Sequence, residues 1–132
     1  MIDKETDIFD AVYPYLEDLL PTGGFVSEYV PEPESLPHVS LIEIDNTPDQ
    51  KTVDSSHHEW SSIVTYESNV YATDKGTCRS IQAALDNAMI GLIGFSKISG
   101  QFTPNLADPR IYRITCRYTR GITINGDFYR PK

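Results

Sequence analysis

Between Pro104 and Arg130 the chain runs PNLADPRIYRITCRYTRGITINGDFYR, an alternating strand followed by a turn signal. From Tyr112 to Tyr118, one face carries Tyr112, Ile114, Cys116 and Tyr118 and the other carries Arg113, Thr115 and Arg117. Side chains of a strand point alternately to its two faces, so this pattern predicts one face on a core and one face outside it. Asn125-Gly126 tolerates the positive φ that a two-residue hairpin turn demands, which predicts that Asp127–Arg130 pairs back on Gly121–Ile124. The chain must build a sheet, and this part of it holds arginines in place of a catalytic constellation.

At 132 residues the sequence fits one domain with a core that needs no crosslink. No apolar run reaches the roughly 18 residues that span a bilayer, so no membrane association is expected. The N-terminus MIDKETDIFD is acidic where a signal peptide is basic and then apolar, which places synthesis and assembly in a cytoplasm. Cys78 and Cys116, beside a predicted helix and on a predicted strand, are expected to be reduced structural thiols; a disulfide is the alternative.

Charge divides unevenly. Residues 1–50 hold twelve acids and one base, whereas residues 51–132 hold seven acids and ten bases, within a net charge of −8. Such a chain is suited to head-to-tail association with its own copies, although acids also serve simply to solubilise exposed segments. Net acidity argues against a dedicated nucleic-acid binder.

Ile8, Ala11, Val12, Tyr15, Leu16 and Leu19 recur at helical spacing and predict a first helix from Thr6 or Asp7 to Leu20, disturbed by Pro14. Strands are expected at Phe25–Val30, Val39–Ile44 and Ile63–Tyr71, the last with Val64, Tyr66 and Val70 on one face. A second helix, capped by Thr77, should present Ile81, Ala84, Leu85, Ala88, Met89 and Leu92 and end at Gly91 and Gly94. An irregular strand over Phe95–Phe102 precedes the closing hairpin. The element order is α-β-β-β-α-β-β-β, which predicts a single-domain α+β fold: an antiparallel-rich sheet with two helices packed on one face. Between the strands, Asp45 to Ser61 forms a seventeen-residue polar stretch, read as an arm ordering against a neighbour, a plain surface loop or a hairpin extension.

Catalytic and metal patterns are missing from the sequence. His57 and His58 are adjacent, so in an extended chain they point apart, and no paired-cysteine or HExxH spacing accompanies them. Cys78 near a helix start could be activated, but no arginine follows it at the offset of a phosphatase loop. Asp45, Asp49, Asp54 and Glu59 match no calcium loop, and Gly91-x-x-Gly94 follows a helix where phosphate binding would need a strand. Neither an enzyme nor a cofactor is expected. Arg113 and Arg117 share a strand face and form a basic strip for an acidic partner surface or, less favoured, for nucleic acid. The competing reading is an ordinary exposed face on which they pair with Glu67 or lie over tyrosine rings. The interface candidates are Arg113, Arg117 and Arg120, with Asp49, Lys51, Asp54 and Glu59 from the polar stretch. Replacing Arg113 and Arg117 by glutamate is expected to leave a folded monomer that assembles poorly.

The blocks HVSLIEIDNTPDQKTVDSSHHEW, IVTYESNVYATDKGTCRSIQAALDNAMIGLIGF and PNLADPRIYRITCRYTRGI, behind an N-terminal helix, resemble the tail-terminator or tail-completion proteins of tailed bacteriophages. Members in prophages of Gram-positive bacteria are often labelled minor capsid proteins. The resemblance runs over nearly the whole chain and rests on order, length and phrases such as VSLIEIDN, YESNVYA and NLADPRIYRITCRY. It implies a virion protein that forms a hexameric ring at the head-proximal end of the tail and ends polymerisation of the tube. Its implied partners are its own copies, the tube protein and a head-side neck protein, with passing contact to DNA in the lumen. A different neck or head–tail connector position is the alternative, and a cytoplasmic α+β binding module is a third.

Overall fold

The computed structural model describes residues 5–20, 24–27, 36–48, 61–103 and 110–123. Helix α1 (Glu5–Leu16) is followed by a short 3₁₀ turn (Glu17–Leu19), then by strands β1 (Phe25–Val26), β2 (His38–Pro48) and β3 (Ser61–Ala72). Helix α2 (Lys75–Asp86) runs on into a π-helical segment (Asn87–Leu92), and β4 (Ser96–Phe102) and β5 (Tyr112–Thr123) complete the chain. The five strands form one sheet in the order β1-β2-β3-β5-β4, antiparallel except where β1 lies parallel to β2. This is the α+β architecture expected, two helices on one face of a mostly antiparallel sheet. The last expected strand, Asp127–Arg130, lies outside the described residues, as do Asn125 and Gly126.

The centre of the sheet is the β3–β5 pair, in which twelve residues stay in unbroken register from Ser61 opposite Thr123 to Ala72 opposite Tyr112. A period of two over that length fixes two faces. Val64, Tyr66 and Val70 of β3 and Ile114, Cys116, Tyr118 and Ile122 of β5 are buried on the helix side, together with Val39 and Leu41 of β2. Tyr66 meets Phe95 edge-to-face, ring centroids 5.7 Å apart. Each aromatic or aliphatic side chain taken fully out of water contributes about 1.5–3 kcal/mol.

β5 does not break after Tyr118; it continues to Thr123, so Gly121–Thr123 belong to the central strand. β2 and β3 are likewise longer than their apolar residues indicate. Asp45–Pro48 are paired with β3, across a bulge between Glu43 and Asp45, and Ser61 opens β3. The polar stretch therefore shortens to residues 49–60, which lie outside the described residues. Backbone pairing to Ser62–Thr65 holds Asp45–Pro48 in the sheet although their side chains are polar, because a ladder bond does not depend on side-chain polarity.

Helix α1 passes through Pro14, which is exposed, and tightens into the 3₁₀ turn at Glu17. Its buried stripe is Ile8, Val12, Leu16 and Leu20, a strict spacing of four; Tyr15 and Leu19, expected in the stripe, are exposed. Phe9 stacks on Phe25 of β1 at 4.1 Å, so α1 covers the β1 edge of the sheet. Helix α2 covers β3 and β5, burying Cys78, Ile81, Gln82 and Leu85. Its cap is Asp74, whose carboxylate accepts from the Thr77 backbone N–H and hydroxyl, both at 2.8 Å. Thr77 had the right chemistry for a cap but stands one turn too far along, where it is the residue being capped. The helical run ends where Gly94 adopts a φ of 83° and the Phe95 N–H returns to the Met89 carbonyl at 2.8 Å.

Asp74→Ala should lower stability by about 1 kcal/mol, the usual worth of an N-cap, measurable by urea unfolding.

Candidate interaction face

Because α1 and α2 occupy one side of the sheet, the other side is set by the odd-numbered residues of β3 and β5. Glu67 stands opposite Arg117, Asn69 opposite Thr115, and Tyr71 opposite Arg113. The same face continues on β2 with Ser40 opposite Asn69 and His38 opposite Tyr71.

The two arginines that share this face differ in how they are held. Arg113 is half-buried: its Nε donates to Asn69 Oδ1 at 2.8 Å and its guanidinium lies 5.7 Å from the Tyr71 ring centroid. Asn69 is fully buried, and the Thr115 hydroxyl donates to the same oxygen at 2.9 Å. Arg117 is exposed and faces the partly buried Glu67 across the strand pair. Arg113 is thus built into the face, whereas Arg117 stands out from it. Arg120 does not join them. It is in phase with Tyr118 and Ile122 only through the even-numbered row, on the helix side, where its guanidinium donates to the Ile93 carbonyl. Asp49, Lys51, Asp54 and Glu59, with His57 and His58, lie outside the described residues.

Among the described residues, both thiols and the His38 imidazole are buried. Cys78 and Cys116 are both free and buried. Burial, reinforced by the charge of Asp74, pushes the Cys78 thiol up to about 11, the opposite of what a nucleophile needs. Its sulfur lies 3.4 Å from the Tyr112 carbonyl and 3.8 Å from that of Val70. Burial likewise raises Cys116, and it holds His38 below its ordinary value. No group of three or more metal-ligating side chains occurs among the described residues, and none of their helices is long and apolar enough to cross a membrane.

A polar cluster on the helix side was not evident in the sequence. Tyr118 donates to Asp86 Oδ1 at 2.5 Å, Gln82 Nε2 donates to the Tyr118 hydroxyl at 2.6 Å and to Asp86 Oδ1 at 2.9 Å, and Lys97 reaches Asp86 Oδ2 at 3.0 Å. Desolvation and the Asp86 carboxylate raise the Tyr118 pKa, so the phenol stays a donor. These four residues tie the end of α2 to β5 and β4. The Gln82–Asp86 spacing of one helical turn was the available signal.

Neither a protein-family model nor a curated protein matches the sequence. The fold is similar to that of a chain in the solved virion of a native gene transfer agent particle. The identity is 18% and the TM-score 0.59, over 84% of this chain and 90% of that one. The two chains share a fold over almost their full lengths.

The two arginines should separate in a stability assay. Arg113→Glu removes the bond to buried Asn69 and the ring contact, and lowers stability by about 1–3 kcal/mol; Arg117→Gln changes it by less than about 0.5 kcal/mol. Equal, negligible effects in urea unfolding would show that Arg113 is not built into the face. The Cys78 thiol gives a pH dependence of known sign. Its pKa is raised in the folded state, so its contribution is whole below the ordinary 9.0 and is lost as pH climbs toward about 11. Cys78→Ala should flatten the fall in stability over that window, with Cys116 and Tyr118 supplying the remainder.

Proposed function

We propose that this protein is a non-enzymatic structural subunit of a phage-like virion, forming a ring at the head-proximal end of the tail. There it ends polymerisation of the tube and offers the surface for head attachment. The observation that carries the reading is the fold likeness to a chain of a gene transfer agent virion, extending over 84% of this chain and 90% of that one. The sequence blocks that resemble tail-terminator proteins supply the finer position in the tail.

Physical features support an assembly role. Tyr118, Gln82 and Asp86 are bonded to one another, and the Cys78 thiol lies against main-chain carbonyls. Strands β2 and β3 stay paired from His38 opposite Tyr71 to Pro48 opposite Ser62. In this reading Arg117, exposed on the open face, and the polar residues Asp49, Lys51, Asp54 and Glu59 contact a neighbouring subunit or the tube. Ring closure uses heterologous contacts, in which one patch of a subunit meets a different patch of the next.

The test is to mix the purified protein with its tube protein and view the product by negative-stain electron microscopy. Tubes of limited length, each ending in a ring of this chain, are expected. A chain that neither closes into rings nor caps tubes would overturn the reading, and binding confined to a portal-side component would move it to a head–tail connector position.

A further inference from the structure

Exposed acids cluster at one edge of the sheet, and two exposed cations stand beside the other. At the β1 edge, α1 and the 3₁₀ turn expose Asp7, Asp10, Glu17 and Asp18 without any lysine or arginine in either element. Tyr13, Tyr15 and Leu19 are exposed among them, at 42%, 41% and 37%. The stacking of Phe9 and Tyr13 on Phe25 fixes this surface over β1.

At the other edge, β4 has a neighbour on one side only among the described residues, and all seven of its residues are exposed. Ile98 stands out at the bulge between Lys97 and Ser99, 58% exposed, and Phe102 and Tyr112 are 37% and 39% exposed. Two cations from the first turns of α2 lie over these rings. Lys75 Nζ is 5.6 Å from Phe102 and 5.7 Å from Tyr112, and the Arg79 guanidinium is 5.3 Å from Phe102. Neither cation has a carboxylate partner among the described residues, and Asp74 beside them is engaged in capping α2.

We infer that the Lys75–Arg79–Phe102–Tyr112 edge docks onto the α1 and 3₁₀ surface of a second copy of this chain. Opposite charges and exposed aromatics occur on both surfaces, so each cation set gains carboxylates while the rings leave water together. Within one subunit the two surfaces flank different strands. Those strands, β1 and β4, are the two edges of a five-stranded sheet and lie about 19 Å apart at the usual strand spacing. Joined between copies they make a heterologous contact, with each copy keeping one free edge for the next. The charge placement carries this inference whether or not the copies close into a tail ring; it specifies which surfaces the assembly proposed above would use.

Charge reversal in two halves tests it. Sedimentation velocity at low salt should show concentration-dependent association of the unaltered protein, weakening as salt rises from about 0.05 to about 0.5 M because exposed charges are screened. Lys75→Glu with Arg79→Glu should weaken association about tenfold or more, and so should Asp10→Lys with Glu17→Lys and Asp18→Lys. All five positions are exposed, and thermal melts should confirm that both variants are folded. A 1:1 mixture of the two variants should associate again, because the acidic edge of one now meets the basic helix of the other. An unaltered protein that stays monomeric, reversals without effect, or a mixture that stays dissociated would overturn the inference. Tube capping that survives the reversals would leave the virion reading standing while this interface falls. Association through these edges without tube capping would do the reverse.

Discussion

The β3–β5 ladder is the constraint on which the rest of the molecule depends. Twelve consecutive pairs without a bulge hold the two longest described strands in one phase, and that phase decides every residue's side. Val64, Tyr66, Val70, Ile114, Cys116 and Tyr118 are delivered to the helices, and Glu67, Asn69, Arg113 and Arg117 to the open face. A one-residue slip would exchange these sets, placing arginine guanidinium groups under α2 and tyrosines in water. The irregularities are placed away from this centre, at the bulges of β2 and β4.

The ladder also explains why polar groups are buried at so many points. Ser62, Ser68 and Gln82 lie on the helix side and Ser40 and Asn69 on the opposite face, all buried. Asn69 is stabilised by bonds from Arg113 and Thr115, and Gln82 by its part in the Tyr118–Asp86 cluster. A buried amide bonded in this way resists rotation of its neighbours, so Arg113 is fixed at low entropic cost. What remains outward is the Arg117 position, the β4 edge with its cation-covered rings and the acidic surface of α1.

Much of this was legible in the sequence because period two and period 3.6 are strong signals. The phase of β3 and β5, the α2 stripe and the α+β order all follow from side-chain alternation. What escaped depended on the backbone or on contacts distant in sequence. Asp45–Pro48 are polar, and only their pairing with Ser62–Thr65 extends β2. Thr77 resembles a cap until Asp74 is seen to bond to it. Arg120 resembles a third member of the arginine strip, but it sits one residue out of phase and turns to the Ile93 carbonyl. The strand over Phe95–Phe102 is legible in the sequence, but its cation-covered edge is not, because Lys75 and Arg79 lie more than twenty residues from the Phe102 ring they cover.

Amide hydrogen exchange, compared between the dilute protein and its assembled form, reads the decisive property of the chain. Amides of β3 and β5 should exchange slowly in both states, because the ladder is complete within one subunit. Those of β4 and of the α1 surface should exchange faster in the dilute protein and gain protection together on assembly. Protection that appeared only at β3 and β5, with β4 and α1 unchanged, would contradict the inference that a self-sufficient centre is flanked by two edges that meet other copies.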